Sequence, residues 1–286
     1  MRYAADRHVT ITPEIEMPAH TGAAIVSYPT LGLYPEKLDA LGPSQRWTAN
    51  ERVLAPRPQT VAFMQDVLAE VIELFPSRYI HIGGDEANIA HWKQSPEMQA
   101  MIRERSLQGE EGLHSWFIGQ MDAFLTSRGR QLVGWDEILQ GGLAPDAVVM
   151  SWRGEVGGIA AAQAGHDVVM APTSHTYFDY YQGPPATEPR AIGGHIPLEK
   201  VYAHEPIPTV LNADQAGRVL GGQGQLWGEF IATREYRDYM AYPRSVALAE
   251  VLWSPRQERN YEQFLVRLKD HLARLRVLGV NHRPLD

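Results

Sequence analysis

Two adjacent acidic residues, Asp85 and Glu86, directly follow a predicted β-strand, and this position could place them in a functional site. The run Tyr79–Ile82 alternates in polarity and is rich in β-forming residues, and two glycines interrupt it directly before the acids. Neighbouring acids at the C-terminal end of a strand can divide the general-acid and charge-stabilising roles between them. A second interpretation stays open, in which Asp85 caps a following helix and Glu86 lies in its first turn.

Other polar and aromatic residues also follow β-like runs. Each lies at or just beyond the end of such a run, which is where parallel strands bring their loops together. A single tryptophan at such a position is more often core than site, but three of them favour an aromatic-lined site. The residues are Glu16 and His20, Trp135 with Asp136 and Glu137, Trp152, Tyr177 with Asp179, and Trp227 with Glu229.

Six short strands must position these residues, and segments of helical periodicity separate them. Strands that alternate with helices predict parallel βα units and an α/β fold. Because the polar and aromatic residues gather at the strand ends, the pattern favours a (β/α)8 barrel of the TIM type. The predicted strands are His8–Ile15, Tyr79–Gly84, Gln131–Trp135, Ala147–Trp152, Asp167–Pro172 and Gly221–Trp227.

Helical periodicity is clearest in Thr60–Phe75, where apolar residues recur every three or four positions. A loop rich in proline and glycine precedes this helix, up to about Pro58. A second proline-rich stretch, from Gln182 to Ala213, predicts an elaborated loop with one short helix at Ile196–Tyr202. The remaining helices are predicted at Glu97–Arg105, Leu113–Arg128, Gly158–Ala164, Glu235–Leu252 and Tyr261–Leu278.

Only about six of the eight strands that close such a barrel can be assigned. Because the first lies close to Met1, we expect two βα units to precede it, and residues 1–286 to form one N-terminally incomplete catalytic domain. An open doubly wound sheet also accommodates six strands, but its glycine-rich phosphate-binding turn is absent. The exposed edges of an unclosed barrel would favour association, for example as a homo-oligomer, or pairing with a partner segment.

Composition limits the classes of function. The 286 residues are 44% hydrophobic and carry a net charge of −8 without a basic block, which argues against nucleic acid or an anionic membrane as the partner. The lack of cysteine excludes disulfides, thiolate catalysis and cysteine-ligated zinc. No apolar run reaches about 18 residues and the N-terminus has no signal-peptide core, so we expect a soluble chain.

Taken in order, the motifs resemble those of the family 20 glycoside hydrolases, which are β-N-acetylhexosaminidases. The resemblance runs from about Tyr3 to the segment Arg244–Trp253, and six ordered motifs are far more specific than any one alone. The motifs are Pro13-Glu14-Ile15-Glu16-Met17-Pro18-Ala19-His20, His81-x-Gly83-Gly84-Asp85-Glu86, Gly134-Trp135-Asp136-Glu137, Ser151-Trp152-Arg153-Gly154, Tyr177-x-Asp179 and Leu226-Trp227-Gly228-Glu229.

The resemblance implies a retaining, substrate-assisted hydrolysis in which the acetamido oxygen of the sugar attacks the anomeric carbon. Glu86 would be the general acid, and burial together with the neighbouring charge of Asp85 would raise its pKa toward working pH. Asp85 would orient the acetamide N–H and offset the charge that develops on the ring. The Tyr177 hydroxyl would hold the acetamido oxygen on its line of attack.

The resemblance also implies the residues that bind the sugar. Trp135, Trp152 and Trp227 would form apolar walls around it, Asp179 and Glu229 would accept hydrogen bonds from its outer hydroxyls, and His20 would tune the general acid. The expected ligands are glycosides of N-acetylated amino sugars, and neither a metal nor a cofactor is implied.

Several features depart from the family pattern. Glu16 and Ala19 stand where many members carry aspartate and glycine. The arginine that clamps the sugar and the aspartate that supports the site histidine would come from the two strands expected before Met1.

Three other functions remain open on sequence grounds. A conventional retaining glycosidase could pair Glu86 with Glu137 or Glu229 as the nucleophile. A metal-dependent hydrolase would need His81, His20 and Asp85 to converge, although no pair of histidines has the spacing of a metal motif. A truncated or inactive homologue could bind carbohydrate without turning it over.

Overall fold

The computed structural model describes residues 1–34 and 53–285, and the chain forms two compact units, Met1–Met150 and Ser151–Asp286. Helices separate most of the successive strands along the chain, as the predicted α/β fold requires. None of the helices in the described ranges is long and apolar enough to cross a bilayer.

Four strands of the first unit pair in parallel and in chain order. In the first pair Glu14 lies opposite His81 and Met17 opposite Gly83. Parallel pairing places the C-terminal ends of neighbouring strands at the same edge, so the loops that follow them are neighbours as well. The strands are β1 (Glu14–Met17), β2 (Tyr79–Gly83), β3 (Gln131–Trp135) and β4 (Val148–Ser151).

The helices of the first unit pack through apolar faces. The longest apolar stripe runs through Val61, Met64, Leu68 and Val71, all buried, and confirms the helix predicted from Thr60. The helices are α1 (Arg2–Ala5), α2 (Gly22–Ser27), α3 (Pro58–Leu74), α4 (Ala90–Gln94), α5 (Pro96–Glu104) and α6 (Gly109–Thr126), with 3-10 turns at Pro29–Leu31 and Asp136–Leu139.

A hydrophobic cluster around Trp92 supports the loops that follow β1 and β2. It buries Ala19 from the first loop, and Ala87 and Ile89 from the second pack against it. The Trp92 indole N–H is satisfied within this core, because it donates to the Leu54 carbonyl at 3.1 Å. The cluster therefore fixes two loops that carry predicted site residues.

The second unit combines one pair of parallel strands with six helices in its described residues. The strands are β5 (Val168–Met170) and β6 (Val219–Gly222). The helices are α7 (Val156–Gln163), α8 (Leu198–Tyr202), α9 (Ala213–Ala216), α10 (Arg234–Ala241), α11 (Arg244–Trp253) and α12 (Tyr261–Val277), with a 3-10 turn at Arg256–Glu258.

The core of the second unit joins α8, α11 and α12 to the loop after β5. Phe264 and Leu268 of α12 and Ala247 of α11 lie in the same buried cluster as Tyr177 and Phe178 from that loop. Burial of large apolar side chains is the main source of stability in such a cluster. The loop that carries two predicted site residues is thus anchored in the core.

The predicted strand His8–Ile15 is wrong in its first half. Val9 and Ile11 are exposed, and β1 begins only at Glu14. Pro13 offers no N–H to a ladder, although its carbonyl accepts a hydrogen bond from the His81 amide at 2.9 Å. A β-branched pattern is insufficient for a strand when no partner strand pairs with it among the described residues.

The last predicted strand is displaced toward the N-terminus. It was expected at Gly221–Trp227, whereas β6 ends at Gly222 and Gln225 contributes only an isolated bridge to Tyr177. The glycines in this run let other groups approach closely, since a Cβ on Gly224 would overlap the Phe178 ring.

The helix predicted at Glu235–Leu252 is two helices, α10 and α11. The break falls at Tyr242 and Pro243, because a proline inside a helix removes a backbone donor and clashes with the preceding turn. The loop predicted up to Pro58 lies mostly outside the described residues, which resume at residue 53.

Candidate active site

The loop after β2 has an unusual backbone. Gly83, Gly84 and Glu86 have φ values of +71°, +92° and +48°. The first two are available to glycine at no cost, but a left-handed conformation at Glu86 costs about 1–2 kcal/mol. Such strain persists where surrounding structure imposes it, and it concentrates at functional sites.

Asp85 does not cap a helix. The next helix, α4, begins at Ala90, and its N-cap residue is Ile89. The interpretation in which Asp85 caps a helix and Glu86 lies in its first turn is therefore wrong. Both acids lie on an irregular loop.

His20, in the loop after β1, joins the two acids. Its Nε2 lies 3.2 Å from Asp85 Oδ2 and 3.5 Å from Glu86 Oε2. Hydrogen bonds to Asp85 and Glu86 raise the pKa of His20 to about 10, so the imidazole is positively charged at neutral pH. Like Glu86, His20 has a positive φ, of +53°. The structure thus brings three predicted site residues together.

A pair of glutamates from β1, Glu14 and Glu16, lies beside Asp85. Burial, the charge of Asp85 and a hydrogen bond to Glu14 raise the pKa of Glu16 to about 10. Glu16 therefore keeps its proton at neutral pH and donates it to Glu14. Glu16 Oε2 and Asp85 Oδ1 are both buried without a hydrogen-bond partner in the described part of the chain.

Glu14 is the ionised member of the pair. Burial would raise its pKa, but hydrogen bonds with His81, Glu16 and Trp135 outweigh that effect and lower it to about 2. His81 Nδ1 lies 3.2 Å from Glu14 Oε1, and the Trp135 indole N–H donates to the same oxygen at 2.8 Å. Trp135, predicted as a wall of the sugar site, is only 2% exposed and packs 4.9 Å from the His81 ring.

His114 of α6 approaches the same loop from the core side. Burial lowers its pKa to about 4, although a hydrogen bond to the Gly84 backbone and the charge of Asp85 act in the opposite direction. The neutral imidazole therefore supports the loop without adding a charge beneath Asp85.

Glu86 is less buried than expected. Its side chain is 43% exposed, so the expectation that Glu86 is buried is wrong. Two charged groups lie next to Glu86: the Asp85 carboxylate, its neighbour in sequence, repels its negative charge, and the His20 imidazolium attracts it.

The same three residues have the geometry of a possible cation site. Ligand atoms of His20, Asp85 and Glu86 all lie within 4.8 Å of one another, whereas His81 is not part of this group. The hydrogen bonds that keep His20 protonated oppose metal binding, because a metal needs the neutral imidazole.

Tyr177 and Asp179 lie on the loop after β5 in the second unit. The Tyr177 ring stacks on Trp152, with ring centres 6.3 Å apart, and Trp227 packs against the same apolar cluster. The structure therefore groups the predicted tyrosine with two of the three predicted tryptophans.

Asp179 is 4% exposed, and neither carboxylate oxygen has a hydrogen-bond partner from another described residue. Burial raises its pKa to about 7; the charge of Glu229 adds to this effect, while its own backbone amide and Arg244 oppose it. Glu229 itself is exposed. A buried carboxyl group without partners is costly, and it is usually explained by a ligand or function.

Sequence reasoning missed three residues of these surroundings. Glu14 had a signal, because it lies two positions before Glu16 on the same strand, and residues i and i+2 of a strand share a face. His114 was detectable as a polar residue on the apolar face of a helix. Arg244, the first residue of α11, had no signal, since nothing local distinguishes a buried arginine from an exposed one.

Comparison with known proteins gives a consistent result. The model of "Glycosyl hydrolase family 20, catalytic domain" matches residues 1–256. A "Beta-hexosaminidase" from Porphyromonas gingivalis is 47% identical over all of this chain and 37% of its own length. Another, from Vibrio furnissii, is 38% identical over 86% of this chain and 41% of its own length. The chain thus spans about two fifths of these curated relatives.

Among solved structures, a "GH20 Exo beta-N-Acetylglucosaminidase from Vibrio harveyi in complex with N-acetylglucosamine" superposes with a TM-score of 0.86 at 35% identity. The superposition covers 99% of this chain and 45% of that one. These comparisons confirm an α/β fold of the (β/α)8 TIM-barrel type, and the open doubly wound sheet is not supported.

Proposed function

Because the chain belongs to glycosyl hydrolase family 20, we propose that it carries the catalytic machinery of a β-N-acetylhexosaminidase. The substrate would be a glycoside with a terminal β-linked N-acetylglucosamine or N-acetylgalactosamine. The observation that carries the proposal is the loop after β2, where Asp85 and Glu86 meet His20 and Asp85 keeps one buried oxygen without a partner.

Asp85 is suited to bind the acetamido group. Its Oδ2 accepts a hydrogen bond from His20, while Oδ1 remains available to accept the acetamide N–H. Glu16 keeps its proton and is neutral, so its carboxyl group does not place a second negative charge next to Asp85. A single negative charge then offsets the positive charge of the oxazolinium ion that forms when the acetamido oxygen attacks.

Glu86 is the proposed general acid. Its proton would pass to the departing glycosidic oxygen, and the carboxylate left behind would be stabilised by the His20 imidazolium at 3.5 Å. The same carboxylate could then accept a proton from the water that opens the oxazolinium ion. Its exposure is compatible with this exchange of leaving group and water.

The family resemblance also assigns roles in sugar binding to residues within the second unit. We assign the Tyr177 hydroxyl to the acetamido oxygen, and Asp179 and Glu229 to the outer hydroxyls. The unsatisfied oxygens of Asp179 support this assignment, because hydroxyl donors would satisfy them. Trp152 and Trp227, which are partly buried, are the better candidates for apolar walls, and Trp135 would act mainly by holding Glu14.

The decisive experiment compares an aryl β-N-acetylglucosaminide with the matching aryl β-glucoside, using the 286-residue chain. Substrate assistance requires the acetamido group, so only the first compound should be hydrolysed. Equal turnover of both would instead support a carboxylate nucleophile such as Glu137 or Glu229. Calorimetric binding of N-acetylglucosamine without any turnover would indicate a carbohydrate-binding protein.

A further inference from the structure

Arg244 is a buried cation whose hydrogen bonds converge on one loop of the second unit. Its side chain is 0% exposed at the start of α11. Nη2 donates to the Phe178 carbonyl at 2.5 Å, and Nη1 donates to the Tyr180 carbonyl at 3.0 Å. The guanidinium therefore holds the carbonyls of the residues on both sides of Asp179.

Two further bonds tie the same guanidinium to neighbouring segments. Nη1 also donates to the Ile196 carbonyl at 3.1 Å, and Nη2 to the Met240 carbonyl at 2.8 Å. The guanidinium carbon of Arg244, Cζ, lies 5.0 Å from the centre of the Phe178 ring. One charged group thus joins the loop after β5 to the long connection before α8 and to the end of α10.

The opposite side of the loop is held by Gln225. The Phe178 amide donates to the Gln225 carbonyl at 2.7 Å, and Tyr177 forms an isolated parallel bridge with the same residue. Gly224 permits this approach, because any side chain there would overlap the Phe178 ring. The backbone from Tyr177 to Tyr180 is therefore restrained on two sides.

The Arg244 guanidinium attracts the Asp179 carboxylate through its charge but donates no hydrogen bond to it. In the part of the chain that the structure describes, no ion pair joins the two, and both Asp179 oxygens remain unsatisfied. A lysine could not reproduce this arrangement, because only the planar guanidinium presents donors toward several carbonyls at once.

We infer that Arg244 is a positioning residue for sugar binding: it fixes the backbone that presents the Tyr177 hydroxyl and the Asp179 carboxylate while leaving that carboxylate unpaired. The inference rests on the proposed function for the roles of Tyr177 and Asp179. It adds a residue that makes no contact with the sugar and acts through the loop.

Arg259 provides a matched control within the same unit. It is a partly buried arginine that donates to a backbone carbonyl, that of His204 at 2.9 Å, and it pairs with Glu205. Among the described residues its hydrogen bonds go to His204 and Glu205, and none goes to the loop from Tyr177 to Tyr180. Arg244→Lys and Arg259→Lys each remove guanidinium hydrogen bonds within the second unit, but only the first removes bonds to this loop.

The test combines kinetics with amide hydrogen exchange on the full chain. Arg244→Lys should lower kcat/KM for the aryl β-N-acetylglucosaminide by roughly tenfold to a hundredfold, because small displacements of positioning groups are costly. It should also accelerate exchange of the Phe178, Tyr180 and Tyr181 amides. Arg259→Lys should lower the melting temperature but leave kcat/KM and those amides close to wild type.

The outcomes separate the inference from the proposed function. A wild-type chain without turnover would contradict the proposed function, yet the exchange comparison would still decide whether Arg244 restrains the loop. Unchanged exchange in Arg244→Lys, or equal acceleration in Arg259→Lys, would overturn the inference. So would an Arg244→Lys chain that fails to fold when Arg259→Lys folds, since Arg244 would then be a general stability residue.

Discussion

The carboxyl group of Glu16 occupies the space that a Cβ on Gly83 would require. The two residues lie on the adjacent parallel strands β1 and β2, where Met17, the residue after Glu16, lies directly opposite Gly83. Gly83 is therefore needed for two reasons, its φ of +71° and the approach of a protonated acid. This contact connects the glycine of the sequence motif with the electrostatics of Asp85.

Gly83→Ala should destabilise the chain more than Gly129→Ala. Gly129 has nearly the same φ, +68°, but no atom within 4 Å of an added Cβ. Both changes should cost about 1–2 kcal/mol for the left-handed backbone, and Gly83→Ala about 1–3 kcal/mol more for overpacking. Denaturant unfolding measures both, and equal losses would show that Glu16 moves aside freely.

Glu86→Gln should affect substrates according to their leaving groups. An aryl glycoside with an acidic phenol needs little protonation, whereas a natural alkyl-linked sugar should lose roughly a factor of 10² to 10⁴ in rate. Steady-state kinetics on both substrates test this, with Glu104→Gln on the exposed end of α5 as control. An equal loss for both substrates would contradict the general-acid role.

Asp85→Asn should lower kcat far more than it raises KM. The charge that Asp85 offsets exists only once the oxazolinium ion begins to form, so a loss of roughly 10² to 10³ in kcat is expected. Binding of N-acetylglucosamine, measured by calorimetry, should weaken much less. A variant that binds weakly but turns over normally would exclude the assigned role.

Glu16→Gln should be tolerated near neutral pH and should change how stability depends on pH. The folded pKa of Glu16 is raised from 4.5 to about 10, so the folded chain holds a proton that the unfolded chain releases above its own pKa. The protonated Glu16 makes its full contribution to the free energy of unfolding below pH 4.5, and this contribution is lost progressively as the pH rises toward 10.

Glutamine at position 16 keeps the shape and cannot ionise. Thermal unfolding between pH 5 and 9 should therefore show a smaller loss of stability in Glu16→Gln than in wild type. Parallel curves for the two proteins would mean that Glu16 is ionised in the folded state.

Asp179→Asn should remove a pH dependence of substrate binding near neutrality. Burial raises the pKa of Asp179 to about 7, and the carboxylate accepts stronger hydrogen bonds from sugar hydroxyls than the protonated acid does. KM of the wild type should therefore fall as the pH rises through 7, while Asp179→Asn should show a higher and flatter KM. Asp270→Asn, on the exposed face of α12, should behave as wild type.

Much of the fold and the position of the site followed from local patterns. Alternating polarity identified β2 over Tyr79–Gly83, a short β-like run identified β3 over Gln131–Trp135, and helical spacing identified α3 and α12 to within two residues. These features depend on residues a few positions apart, so sequence displays them directly. At Val9 and Ile11 the β-like pattern predicted a strand wrongly, because no strand among the described residues pairs with this segment.

The sequence by itself determined the βα order, the acidic pair at the end of β2 and the family to which they belong. Tertiary structure alone decided the protonated state of Glu16, the exposure of Glu86 and the burial of Arg244. The physical reason is that charge and burial depend on partners distant along the chain. Trp135 reaches Glu14 across 121 positions, and Arg244 reaches the Phe178 carbonyl across 66.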